Sequence, residues 1–185
     1  SMNEQYLDKK IRGEKISLIK HEVDLAQKMF DYVQEDKERL SIFLPFPKFI
    51  KSVQDEIDYI ERCNREWVEH QAAHFGIYRN SDDEYLGNIS AFGFHWIHCR
   101  CEIGYWILGK FEGQGYMSEA VRLLENSLFE AGLNRIVIRC DPRNSRSCSL
   151  PKRLDYVLEG TQREVQNNGV RFCDFEVYSK LRSDL

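Results

Sequence analysis

Gly113-Gln114-Gly115-Tyr116-Met117-Ser118-Glu119-Ala120 joins two segments of different periodicity, and that junction decides the fold. Before it, the aromatic run Cys101 to Leu108 reads as a strand; after it, Met117, Ala120, Val121, Leu124 and Leu128 recur at helical three- and four-residue spacing. Gly132 stands where a helix C-terminal glycine belongs. Two glycines between strand and helix let the backbone take positive φ and approach a ligand closely. The first amides of the helix lack intrahelical acceptors and point the same way, so the junction reads as an anion cradle. Gly-x-Gly turns also close ordinary hairpins, so the specificity has to come from the flanks.

Working outward, Lys15 to Lys20 reads as a first strand, and Leu25, Ala26, Met29, Phe30 and Val33 mark a first helix by their spacing. Arg39 to Ile50 reads as a loop. Ser52 and Asp55 form a capping box opening a second helix, with Val53, Ile57, Ile60, Trp67 and Val68 as its apolar positions. His74 to Arg79 and Tyr85 to Trp96 are strands separated by the polar turn 80–84, and a hairpin turn near Trp96 to Arg100 leads into the aromatic strand. Beyond the third helix come a β-branched strand, Arg135 to Cys140, a short helix, Ser145 to Arg153, and closing strands near Val157 to Glu164 and Arg171 to Tyr178. Antiparallel strands, one helical crossover and a final hairpin predict a mixed α/β sheet.

The 185 residues suit one domain, 1–185, which at this size buries roughly 70% of its unfolded surface. Net charge is −4, with 26 basic and 30 acidic residues interspersed, which argues against direct nucleic-acid binding and leaves a basic protein partner welcome. No secretory signal or long apolar run is read, so neither export nor a membrane is expected. Cys63, Cys99, Cys101, Cys140, Cys148 and Cys173 are read as free thiols in a reducing cytoplasm. Ser1 before Met2 reads as a remnant of tag removal. His95, His98, Cys99 and Cys101 lack zinc-knuckle spacing and alternate across a strand and turn, so no metal is expected.

The flanks carry a resemblance. Cys101-Glu102-Ile103-Gly104-Tyr105-Trp106-Ile107 lies before the loop, and Asn134 to Cys140, Asn144-Ser145-Arg146-Ser147 and Leu158-Glu159-Gly160 lie after it. In that order and at those intervals, from Ile16 to Tyr178, the chain resembles the GNAT acetyltransferases, and within them the branch that acetylates the N-terminal residue of ribosomal proteins. Phe43-Leu44-Pro45-Phe46-Pro47 is similar to the aromatic-proline loop between that family's first two helices. The fold implied is a single GNAT-type α/β domain: a mixed, mostly antiparallel sheet with splayed central strands, flanked by about four helices.

The resemblance implies acetyl-coenzyme A as cosubstrate and an amine as acceptor, including the N-terminus of a ribosomal protein, with a homodimer as the family tendency. Backbone amides from Gly113, Gln114, Gly115, Tyr116, Met117 and Ser118 would hold the pyrophosphate, and backbone groups of Trp106, Ile107 and Leu108 would bond the pantetheine arm as an added strand. Asn144 would contact the same arm. Ser147 would stand beside the thiolate as proton donor, although both residues also have ordinary uses in helix capping. Pro151 cannot donate to the carbonyl of Ser147, which therefore needs another partner. Phe43, Leu44, Pro45 and Phe46 would form part of the acceptor wall, or a hydrophobic plug between helices.

Several residues depart from the family. Its glutamate falls at Gln166, whose amide cannot accept the amine proton. Glu164, two residues earlier on the same side of a regular strand, and Glu102, on the strand beside the cosubstrate, are the alternative bases. Pro151 stands where many relatives carry a tyrosine acid, Glu112 brings negative charge toward the phosphates, Asp155 replaces a glycine, and Cys148 reads as a buried thiol. Two readings compete with N-terminal acetylation: transfer to a small amine, and a coenzyme-binding regulatory module that has lost its base.

Overall fold

The computed structural model describes residues 6–185, so Ser1 and its reading as a tag remnant lie outside the described residues. An eight-stranded sheet is built from β1 (Lys10–Arg12), β2 (Ile16–Lys20), β3 (Ala72–Arg79), β4 (Tyr85–His95), β5 (Arg100–Ile107), β6 (Arg135–Cys140), β7 (Val157–Asn167) and β8 (Phe172–Leu181). The spatial order is β1-β2-β3-β4-β5-β6-β8-β7. Every neighbouring pair is antiparallel except β5 with β6.

That parallel pair positions the site. β5 and β6 are in register only at Arg100 with Arg135, Cys101 with Ile136 and Glu102 with Val137. Past Glu102 the strands part, and β5 runs on to Ile107 without a neighbour on that side. The splay expected from the resemblance is present.

Among the described residues five α-helices accompany the sheet: α1 (Ala26–Glu35), α2 (Lys37–Ser41), α3 (Val53–Val68), α4 (Tyr116–Glu130) and α5 (Ser145–Arg153). α2 runs into the start of the stretch read as loop, Arg39 to Ile50, which also holds a 3₁₀ turn at Phe46–Phe49. The capping box at the start of α3 is formed: Asp55 N–H donates to Ser52 Oγ at 3.2 Å and Ser52 N–H to Asp55 Oδ2 at 3.1 Å. α4 ends in a left-handed Gly132, φ 105°, with Leu133 N–H reaching back to the Leu128 carbonyl.

Alternating strand residues serve two cores. The larger packs Ala120 and Leu124 of α4 and Leu150 of α5 against Phe75, Ile89, Ile103 and Ile138. The smaller joins Met29 and Val33 of α1 and Ile60 of α3 to Tyr85. The reading of six free thiols needs one correction: Cys140 and Cys148 are disulfide-bonded, while Cys63, Cys99, Cys101 and Cys173 are free. The end of β6 and the second turn of α5 bring the two Cα atoms to 5.7 Å, within bridging range, a proximity that eight residues of sequence separation do not announce.

Candidate active site

A cleft of about 700 Å³ opens where β5 and β6 part, bounded by the glycine loop, the start of α4 and the start of α5. Gly113 and Gly115 have φ of 75° and 81°, so the positive-φ requirement read from the sequence is met, with Gly115 serving as N-cap of α4. A Cβ built on Gly115 meets no protein atom within 4 Å, so the space above the loop is free for a ligand. Tyr116, Met117 and Ser118 open the helix and line the cleft with the two glycines. Gln114 does not line it; its side-chain oxygen accepts from the Tyr116 hydroxyl at 3.2 Å.

Strand parity corrects the cosubstrate residues expected on β5. Leu108 N–H donates to the Leu86 carbonyl, and in an antiparallel ladder hydrogen-bonded pairs alternate, so Trp106, opposite Asn88, also turns its backbone groups toward β4. Ile103, Tyr105 and Ile107 are the residues whose backbone faces the gap. Of the three residues named from the sequence, Ile107 alone has this orientation, and its carbonyl already accepts a hydrogen bond from the Arg39 guanidinium. Trp106 still lines the cleft, while Leu108 is buried outside it.

Arginines set the electrostatics. Glu112 is clamped between Arg39 Nη1 at 2.9 Å and Arg146 Nε at 2.8 Å, so its charge is compensated rather than presented bare to the cleft. Arg153, also in the wall, donates to Ser118 Oγ at 3.3 Å and to Ser149 Oγ at 2.8 Å.

At the opposite wall, Asn144 caps α5, its side chain accepting from Ser147 N–H at 3.2 Å, and both residues line the cleft. The carbonyl that Pro151 leaves without a donor has found one: Tyr105 hydroxyl donates to Ser147 O at 3.0 Å. Burial pushes the Tyr105 phenol up to about 12, which keeps it a neutral donor at any ordinary pH. Tyr105 therefore ties the start of α5 to the splayed strand, a connection the sequence does not announce.

The carboxylates divide. Glu164 is removed from the site: β7 bulges between Gln162 and Gln166, Glu164 takes a left-handed φ of 49°, and its N–H bonds Asp174 at 2.8 Å. The two-residue spacing argument fails because the strand is not regular there, and Gln166 itself lines the cleft. Glu102 has both oxygens engaged by Arg139 Nε, at 3.1 and 3.0 Å, and it is Arg139 that reaches the cleft. Burial nevertheless leaves the Glu102 carboxyl above its ordinary value, with Arg139 opposing.

The aromatic-proline loop stands between two spaces. Phe43, Leu44 and Pro45 line the cleft, while Leu44 and Phe46 line a second cavity of about 610 Å³ beneath α1 and α3. Gly104, Tyr105 and Trp106 border both, so the two spaces meet at the splay. The second cavity also holds Glu56 and His74, which the sequence reading missed. A signal was present: the buried stripe of α3 is Glu56, Ile60, Cys63 and Trp67, at helical spacing, so one position of an apolar face is a carboxylate.

Comparison with known proteins agrees with this geometry. A family model described as an acetyltransferase (GNAT) domain matches residues 16–157. The Escherichia coli ribosomal-protein-serine acetyltransferase is 26% identical over 154 residues, 83% of this chain and 85% of that protein. The uncharacterized N-acetyltransferase p20 of Bacillus licheniformis is 29% identical over 175 residues, 92% of this chain and 95% of the other. Among solved structures, RimL, a ribosomal alpha-N-protein acetyltransferase in complex with coenzyme A, superposes with a TM-score of 0.89 at 22% identity, over 93% of this chain and 97% of that one. A microcin self-immunity acetyltransferase in complex with acetyl-CoA and AMP gives 0.87 at 22% identity, over 91% and 93%. With a glycine cradle, a parted sheet and a family match over most of its length, the chain belongs to the GNAT acetyltransferase family and is an N-acetyltransferase.

Proposed function

We propose that this enzyme transfers the acetyl group of acetyl-coenzyme A to the N-terminal α-amine of a protein in the cytoplasm, with a ribosomal protein as the acceptor class. The observation that carries the reading is the gap past Glu102, flanked on one side by the left-handed Gly113–Gly115 loop and on the other by Ser147. Its residues fit a long phosphate-bearing cosubstrate: first-turn amides of α4, an open face at Gly115, and Arg146 and Arg153 in the wall. Relatives acting on ribosomal proteins and solved neighbours holding coenzyme A or acetyl-CoA support the assignment.

Acetyl-coenzyme A supplies the thioester whose acyl carbon the amine attacks. The protein orients that group with the glycine loop and the backbone of Ile103, Tyr105 and Ile107. Ser147, held by Asn144 and Tyr105, offers its hydroxyl proton where the sulfur would leave. An α-amine with a pKa near 7.7–8.0 is roughly a tenth neutral at pH 7, against below about a thousandth for lysine, so the acceptor needs only modest help from a base.

Labelled acetyl-CoA offered with N-terminal peptides of ribosomal proteins and with polyamines, amino acids and aminoglycosides tests the proposal. Peptide acetylation at the α-nitrogen is expected. Turnover confined to small amines would move the acceptor class, and cofactor binding without turnover would make the chain a binding module.

A further inference from the structure

The second cavity contains a carboxyl that none of the preceding chemistry uses. Glu56, on α3, is 2% exposed and lines that cavity, and its Oε2 is buried without a hydrogen-bond partner. An orphaned carboxylate oxygen costs free energy unless a donor arrives, so its place on an otherwise apolar helix stripe needs a reason. The cavity floor is the strand row His74–Ser90–Gly104, and Gly104 lies two residues beyond the last paired position of β5 and β6. Glu56 thus faces a space that ends at the splay, where Gly104, Tyr105 and Trp106 also border the cleft lined by Ser147.

We propose that Glu56 is the group that receives the acceptor amine and takes its proton, in the role left open by Gln166. The inference rests on the acetyltransferase reading above and names the acceptor as an α-amine. The step moves one proton first. The acceptor's R–NH₃⁺ gives it to the Glu56 carboxylate, leaving R–NH₂ and a neutral carboxylic acid. As the N–C bond forms and the thioester C–S bond breaks, Ser147 gives its hydroxyl proton to the departing sulfur and regains one from the nitrogen, so the second nitrogen proton is in effect passed to sulfur, and Glu56 afterwards returns its own proton to water.

The surroundings suit this exchange. Asp55 on α3 adds negative potential to Glu56, Asp58, Tyr59 and Arg62 of the same helix line the cavity with it, and the buried Tyr85 hydroxyl donates to Asn88 Oδ1 at 2.5 Å. His74 on β3 is bonded through Nδ1 to Ser90 Oγ at 2.7 Å, and burial pushes its imidazole down while the Glu66 carboxylate, 3.6 Å from Nε2, opposes that shift. Burial, with Asp55 adding to it, raises Glu56 to about 7. Transfer from an α-amine near 7.7–8.0 is then uphill by only about tenfold, whereas a lysine near 10.4 would be uphill by more than about a thousandfold. The cavity therefore selects amines of low pKa.

The test is the pH dependence of kcat/KM for an N-terminal peptide with wild type, Glu56→Gln and Glu56→Asp, alongside acetyl-CoA affinity by calorimetry. Wild type is expected to show an acid limb near pH 7. Glu56→Gln should lose about 10²-fold or more in kcat/KM at pH 7, lose that limb so that the profile follows the amine's own titration, and keep its cofactor affinity. Glu56→Asp retains a carboxyl and should keep a limb, displaced, which holds the test open if the amide variant folds poorly. Wild-type kcat/KM and an intact limb in Glu56→Gln overturn this inference alone. Failure of the wild type to acetylate any amine overturns it together with the acetyltransferase reading.

Discussion

At the scale of single residues, the site depends on backbone geometry more than on charge. Gly115→Val would force a β-branched side chain into φ 81°, at about 1–2 kcal/mol of strain, and fill the open face of the cradle. Acetyl-CoA affinity is expected to fall at least tenfold in calorimetry, with the circular-dichroism spectrum native; unchanged affinity would move the phosphate site elsewhere. Glu56 carries a stability signature as well. Its folded pKa, about 7, lies above the unfolded value near 4.5, so the folded state holds the extra proton between those limits. Unfolding free energy should decline as pH rises through that window, and Glu56→Gln should abolish that part of the slope in urea titrations. Asp155 shows how far a residue type can be read: it stands where the resemblance implies a glycine, and its φ of 66° is in the left-handed region that glycine favours. Glu164 shows the limit, because a bulge is a backbone event that composition does not record.

At the scale of elements, α5 is held in place by two bonds that a single side chain cannot supply: Asn144 to the Ser147 amide and Tyr105 to the Ser147 carbonyl. Ser147→Ala should lower turnover by about 10²–10⁴ with cofactor affinity within a few-fold, if proton donation to sulfur is the hydroxyl's task. Tyr105→Phe leaves the hydroxyl of Ser147 intact and frees its carbonyl, so it should cost about 1 kcal/mol in stability and a smaller part of kcat. Equal losses from both variants would mean that Ser147 acts by placement alone. The strands and the capped helices were legible because each has enough residues to show a period: Arg135–Cys140 alternates in burial along its length, and the Ser52–Asp55 box marks the start of α3. Lys10–Arg12 and Lys37–Ser41 were not read as elements, being three and five residues long and too short to repeat anything. On α3 the expected face included Val53 and Val68, yet Val68 is 77% exposed, and the buried stripe runs through Glu56. Tertiary packing selected that face.

At the scale of the whole molecule, one buried polar cluster ties the helical layer to the sheet. Lys180 of β8 lies 3.0 Å from Glu125 of α4, and the Tyr156 hydroxyl donates to the same carboxylate at 2.9 Å, all three residues being buried. Lys180→Met alone should destabilise by about 3–5 kcal/mol, because it strands a charge, whereas Lys180→Met with Glu125→Leu should recover most of that in urea unfolding. The parted sheet has a further consequence. In hydrogen-bonding terms β6, β8 and β7 hang from the other five strands by three residue pairs, which leaves an internal seam with backbone groups awaiting a neighbour. A ligand lying in that seam works as a ninth strand, so its concentration should set how long the protein survives as well as how fast it works: about 2.7 kcal/mol accrues at 100 times Kd. Amides of β6 and of the far end of β5 should exchange with solvent faster than those of β3 and β4 in the free protein, and slow when acetyl-CoA is added. A cell short of acetyl donor would then lose the enzyme to proteolysis along with its activity.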